Sequence, residues 1–238
     1  MTTRKALTWF IILLGIGTLS VAQAHSLGQE TLSKHSLFTI TDTTLTLEYT
    51  LDMAERPTFE ELRRMDTNND EITSQEEADQ YVLDTAERLI SKIDLSVNGQ
   101  PVMLEMTSHE FDVSLSGHEL PVLYLQYQFE AEIAPADAWS FEYDDANFPS
   151  SIGWREVVVQ AGNGLEMVES TVSSKDLSEQ LSDLPTNMKL NPIQDSGTWV
   201  VSADAGPETP TSNPMLMIAL AFGAAIAVFA GFIRLILR

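Results

Sequence analysis

Between Leu45 and Leu51 apolar and polar side chains alternate without a break, Leu45, Leu47, Tyr49 and Leu51 against Thr46, Glu48 and Thr50. A period of two is the signature of a strand with one face in a core and the other toward water. Residues 37–40 supply a partner across the turn Thr41-Asp42-Thr43-Thr44. The pattern returns at 95–97, passes through Asn98-Gly99, a strong hairpin signal, and continues at 102–106. Further strand candidates follow at 110–115, 122–133, 139–143, 156–160 and 165–170, separated by turn residues. Many short strands with frequent turns predict a mainly β chain, an antiparallel β-sandwich. From residue 173 to 191 the pattern weakens, and no internal repeat is visible.

One stretch breaks the period. Pro57 ends extended pairing, and Thr58-x-x-Glu61 reads as a capping box that opens a short helix with Phe59, Leu62 and Met65 on one face. A second helix is expected over 75–91, where Ala78, Tyr81, Val82, Leu89, Ile90 and Ile93 follow helical spacing and must cover something, most simply a face of the sheet. The two make a helix–loop–helix inserted at about 58–92 between strands.

The loop between these helices, 66–77, is rich in oxygen donors. An EF-hand-like loop holds Ca²⁺ through positions 1, 3, 5, 7, 9 and 12. Asp66, Asn68 and Asp70 fit the first three, Ile72 would give its carbonyl, Ser74 would be ninth, and Glu77 would be the closing carboxylate. Position 6, where Gly makes the sharp turn, is Glu71, and a left-handed conformation costs such a residue about 1–2 kcal/mol. A register one residue shorter puts Thr73 ninth and closes on Glu76. A third reading is a polar turn capped by Ser74-x-x-Glu77 that binds nothing, since Asp, Asn, Ser and Thr favour turns and caps in any case.

Both ends of the chain are apolar. Residues 1–24 have a basic start (Arg4, Lys5), an apolar run and Val-Ala-Gln-Ala before His25, which reads as a secretory signal peptide cleaved after Ala24. Residues 215–233 carry no charge and are long enough to cross a hydrocarbon core of about 30 Å as one transmembrane helix. Arg234 and Arg238 follow that span, so the positive-inside rule puts the tail 234–238 in the cytoplasm and the domain 25–203 outside, tethered by the linker 204–214. The expected protein is a single-pass bacterial membrane protein with its main domain in the periplasm or at the cell exterior.

All 35 acidic residues fall between His25 and Pro214, whereas four of the 13 basic ones, Arg4, Lys5, Arg234 and Arg238, lie outside that stretch. So acidic a domain favours cations and repels phosphate backbones, which argues against a nucleic-acid partner. Cysteine is absent, which excludes disulfides, catalytic thiols and thiolate zinc sites. After cleavage His25 would hold an α-amine and an imidazole on one residue, a chelating pair for Ni²⁺ or Co²⁺, and His35 could join it if the N-terminal segment doubles back. His109 and His118 read as surface residues, and Asp144-Asp145 near Asn147 as a turn with oxygen donors. Trp154 reads as a packing residue that orients a strand, with Arg155-Glu156 free to meet a partner. No nucleophile motif, phosphate loop or zinc-protease helix is present, so an enzyme is not expected.

The start His25-Ser26-Leu27-Gly28, the run from Tyr49-Thr50-Leu51-Asp52-Met53-Ala54-Glu55-Arg56-Pro57 to Leu62, the acidic loop, and Gly153-Trp154-Arg155-Glu156-Val157-Val158-Val159 occur here in order. Together they resemble the extracytoplasmic N-terminal domain that precedes the multi-span membrane part of bacterial nickel/cobalt transporter-like proteins, over about residues 25–192. In that family Gly stands where this chain has Glu71, and the transporter's many membrane helices have no counterpart here, so transport itself is not implied. The resemblance implies a role in metal-ion handling at the envelope, beside a separate multi-span metal transporter. The sequence expectation is therefore a membrane-anchored, Ca-type metal-binding accessory domain. A structural or protein-interaction domain with a non-binding loop is the first alternative. A hydrolase is the second, favoured if the fold gathers distant Ser or carboxylate groups around a His in a cleft.

Overall fold

The computed structural model describes residues 28–203. The signal peptide, His25, linker, transmembrane span and tail expected from the sequence lie outside the described residues. Among the described residues, no helix is long and apolar enough to cross a membrane.

Strands β1 (Leu32–Ile40) and β2 (Thr44–Met53) form the first hairpin, closed by Thr41, whose N–H donates to the Thr44 carbonyl at 2.8 Å. After two helices, α1 (Glu55–Met65) and α2 (Gln75–Ile90), come β3 (Ile93–Val97), β4 (Gln100–Pro101), β5 (Glu105–Leu115) and β6 (Pro121–Glu132). The chain continues with β7 (Ala138–Asp145), β8 (Arg155–Ala161), β9 (Leu165–Ser170) and β10 (Ser196–Ala203). One sheet has the order β5-β6-β2-β1-β8 and the other β4-β3-β7-β10-β9. The fold is mainly β, and the helix pair is inserted between β2 and β3, which belong to different sheets.

The sheets meet through large rings. Phe38 of β1 lies edge-on to Tyr143 of β7 at 4.8 Å between centroids and against Trp199 of β10 at 4.9 Å, and Trp199 stacks on Phe141 at 5.5 Å. The alternation read in β2 holds: Leu45, Leu47, Tyr49 and Leu51 are fully buried in this core. Asn98 and Gly99 both have positive φ (51° and 73°), the conformation a tight two-residue hairpin demands. Helix α2 buries Ala78, Tyr81, Val82, Ala86 and Leu89, and Tyr127 of β6 donates its hydroxyl to the Val82 carbonyl at 3.1 Å, so the helix does cover a sheet face.

Several expectations need correction. The sandwich is not purely antiparallel, because β8 joins β1 in parallel, with His35 opposite Glu156. Turn spacing constrains neighbours in sequence, whereas β8 returns to the first sheet only after β7 has been laid in the second. Helix α1 starts at Glu55, not Thr58: Pro57 occupies its first turn, where a missing N–H costs nothing. Thr58 is consequently buried inside the helix, its hydroxyl donating to the Met53 carbonyl at 2.9 Å, and forms no capping box with Glu61. The buried face of α1 is Glu55, Thr58, Glu61 and Met65, leaving Phe59 exposed. Residues 102–104 lie outside any strand, although Val102 N–H still donates to the Leu95 carbonyl at 2.9 Å. Finally, β10 has no counterpart among the expected strands, yet it lies inside the second sheet between β7 and β9.

Candidate functional site

The loop from Asp66 to Ser74 is ordered by its own side chains. Asp66 caps the end of α1, and its two carboxylate oxygens accept the N–H groups of Asp70 (3.1 Å) and Glu71 (2.9 Å). Asn68 Oδ1 accepts from Asp70 N–H at 2.8 Å, and Asp70 Oδ1 from Ile72 N–H at 2.9 Å. At the other end Ser74 and Glu77 form the reciprocal capping box expected of them. Glu77 also reaches back across the loop, its Oε1 accepting from Thr67 N–H at 2.9 Å and Thr67 hydroxyl at 2.8 Å. Glu76 is exposed. Position 6 is left-handed despite its side chain, with Glu71 at φ 66°.

Those hydrogen bonds, first the one from the Ser74 backbone and then that from the Thr67 hydroxyl, pull the Glu77 carboxyl down to about 2. A depressed carboxylate stabilises the fold above its ordinary value of 4.5, and that contribution disappears as pH falls through about 2. A carboxyl-carbon NMR titration should therefore place the Glu77 midpoint near 2. A midpoint at the ordinary value would mean that the closing hydrogen bonds do not form in solution.

The other sequence candidates are dispersed. His109 and His118 are exposed on β5 and in the following turn. Asp145 is no ligand-bearing turn. It is buried and accepts from Lys34 Nζ at 2.7 Å, from the Tyr49 hydroxyl at 2.9 Å and from Asn147 Nδ2 at 2.8 Å. Arg155 and Glu156 are turned inward rather than toward a partner: Arg155 pairs with Asp195 at 2.8 Å, and Glu156 is buried.

His35, read as a second chelator beside His25, belongs to a different constellation. Residues of β1 alternate between faces: Lys34, Ser36 and Phe38 point to the second sheet, and His35 points to the opposite side, beneath the segment after β9. There it meets Glu156 of β8 and Asp176 of that segment, the ligand atoms of all three lying within 4.8 Å of one another. Asp66, Asp70 and Glu77 are not gathered in this way. Burial pulls the His35 imidazole below its ordinary value against the raising pull of the Asp176 and Glu156 charges. Ser178 is also present, but its hydroxyl donates to Glu156 at 2.7 Å, and His35 is fully enclosed, so the cleft a hydrolase would need is missing at this point. Sequence reasoning missed the trio because its members are scattered along the chain and the third sits where periodicity fades.

No protein-family model matches this chain, and no curated protein matches it. Among solved structures it is similar to the crystal structure of AChBP from Bulinus truncatus at 10% identity, with 82% of this chain and 97% of that chain covered and a TM-score of 0.22, a level at which neither fold nor function transfers.

Proposed function

We propose that the chain is a membrane-anchored, extracytoplasmic accessory domain whose EF-hand-like loop binds Ca²⁺, in the service of metal-ion handling beside a multi-span metal transporter. The observation that carries the reading is the register. Two residues of the loop are left-handed, Asn69 (φ 60°) and Glu71 (φ 66°), the second of them at the sixth position counted from Asp66, and the carboxylate that closes back over the loop is Glu77, the twelfth. That supports the longer of the two registers, with Asp66, Asn68, Asp70, the Ile72 carbonyl, Ser74 and Glu77 as oxygen donors to a hard cation. The cation's charge would offset the repulsion among three carboxylates on one turn. Signal, span and membrane orientation rest on the sequence pattern.

A second reading, a protein-interaction domain with an inert loop, is favoured by one observation. Both oxygens of Glu77 already accept N–H and O–H donors from Thr67 and Ser74, so the loop is satisfied without an ion.

Calcium separates the two. A ligand that binds only the folded state stabilises it by RT ln(1 + [L]/Kd). With Kd of about 10⁻⁴–10⁻³ M, typical of extracellular modules, 10 mM Ca²⁺ should add about 1.4–2.7 kcal/mol and raise Tm by several degrees. Asp66→Ala should remove the increase, Glu77→Gln should remove most of it, and Glu76→Gln should leave it. Calorimetry of the full-length protein that shows neither heat nor a melting shift at that concentration selects the inert loop.

A further inference from the structure

We infer that His35, Glu156 and Asp176 form a buried site for a borderline divalent transition ion of the Zn²⁺ type, separate from the acidic loop and independent of the calcium reading. The first ground is the imidazole itself. His35 is completely enclosed, and neither ring nitrogen has a hydrogen-bond partner. Its Nε2 is 3.3 Å from Asp176 Oδ1, within ion-pair range but without the alignment of a hydrogen bond. Buried polar groups are nearly always paired, and one left alone costs about 1–3 kcal/mol. A metal ion would take up an imidazole lone pair.

The second ground is charge. Glu156 is buried, Asp176 is half-buried, and among the described residues neither is ion-paired to a Lys or Arg. Two carboxylates facing one His are compensated by a divalent cation far better than by the imidazole alone.

The third ground is the support around the ligands. Glu156 accepts from Trp154 Nε1 at 2.8 Å, Leu177 N–H at 2.8 Å and the Ser178 hydroxyl at 2.7 Å. Asp176 accepts from Ser178 N–H at 3.2 Å and Gln180 N–H at 3.0 Å. Outer partners of this kind fix the orientation of ligating carboxylates. They also hold the turn Glu179-Gln180-Leu181, whose three residues are all left-handed (φ 47°, 57° and 70°). At Zn–N and Zn–O lengths of about 2.0–2.2 Å, tetrahedral ligand atoms stand about 3.5 Å apart. The His35–Asp176 edge already has that length at 3.3 Å, and the rest of the trio must draw in by about an ångström. One imidazole and two carboxylates suit Zn²⁺ better than Ca²⁺, which takes oxygen alone, or Cu⁺, which prefers sulfur. The ion would arrive past Asp176, the one ligand with exposed surface.

The test is a Zn²⁺ titration of the full-length protein after chelator treatment, followed by calorimetry and by competition with a chromophoric chelator. One tight site is expected. His35→Ala should abolish it, and Asp176→Asn should weaken it by about 100-fold, the upper end of what even an outer-shell partner contributes. Asp66→Ala and His25→Ala should bind Zn²⁺ like the unaltered chain, which keeps this result distinct from the fate of the calcium loop. If His35→Ala does not fold, Asp176→Asn, altered on a half-buried segment, decides. Absence of a tight site, unchanged affinity in Asp176→Asn, or loss of binding on His25→Ala overturns the inference.

Discussion

Replacing Lys34 with Ala should cost about 3–5 kcal/mol of folding stability, the range found when one partner of a buried ion pair is removed. Lys34 is 2% exposed, and its ammonium donates to Asp145 Oδ2 at 2.7 Å and the Asn147 carbonyl at 2.8 Å, with Asp195 Oδ1 at 2.9 Å. Two of its donors are used in hydrogen bonds, Asp195 stands in ion-pair range, and Asp145 is buried. Deleting the cation strands Asp145 inside the sandwich with only the neutral donors of Tyr49 and Asn147. The measurement is denaturant unfolding at neutral pH. Lys34→Met, which keeps much of the stem's packing, should recover little, because the penalty lies in the orphaned carboxylate. A loss below 1 kcal/mol in both variants would mean that the buried Asp145 carboxylate does not depend on the Lys34 cation.

The same strand shows where the sequence could be read and where it could not. Strand β2 was legible because its outer face is partly solvated, so polarity alternates with burial. In β1 every residue from Leu32 to Phe38 is buried, and four of them in succession, Ser33, Lys34, His35 and Ser36, are polar. Their partners come from distant parts of the chain: Asp145 for Lys34, Tyr143 for Ser36, Asp176 for His35 and the Trp154 N–H for Ser33. A local pattern cannot announce such pairings, which is why the expected strand began only at residue 37. The capping box at Ser74 and Glu77 and the Asn98-Gly99 hairpin were legible for the opposite reason, since each is completed within a few residues.

The acidic loop was found from spacing alone, whereas the left-handed backbone at Asn69 and Glu71 and the reach of Glu77 back to Thr67 are features that spacing does not carry. The trio at His35 was not found, because two members arrive by the parallel pairing of β1 with β8 and the third by an irregular segment. Trp154, expected to pack and orient, does so with a consequence the sequence did not suggest: its indole N–H holds the Glu156 carboxylate. Polar residues at the β1–β8 seam thus serve both faces of one sheet, Lys34 inward against Asp145 and His35 outward against Asp176.

That seam should fail on the addition of a single methyl group. Gly153→Ala is expected to destabilise the chain by about 3 kcal/mol, the upper end of ordinary overpacking, because the intruding atom would meet backbone and not a side chain able to turn away. A Cβ on Gly153 would stand 2.3 Å from the Leu32 carbonyl oxygen, 2.6 Å from its carbon and 2.9 Å from Ser33 N. Relief requires the segment before β8 to back away from β1. The bonds on either side, Leu32 N–H to the Ile152 carbonyl at 2.9 Å and Lys34 N–H to the Trp154 carbonyl at 2.8 Å, oppose that movement. The retreat would carry Trp154 and Glu156 with it, so Gly153→Ala should also loosen the Zn²⁺ site, whereas Gly117→Ala, with open space around the new methyl, should change neither stability nor metal affinity. Denaturant unfolding of the two variants side by side checks the first claim, and Zn²⁺ titration the second. Equal stability for Gly153→Ala and the unaltered chain would show that the parallel junction tolerates displacement and that close packing of β8 on β1 is not what holds the outer face in place.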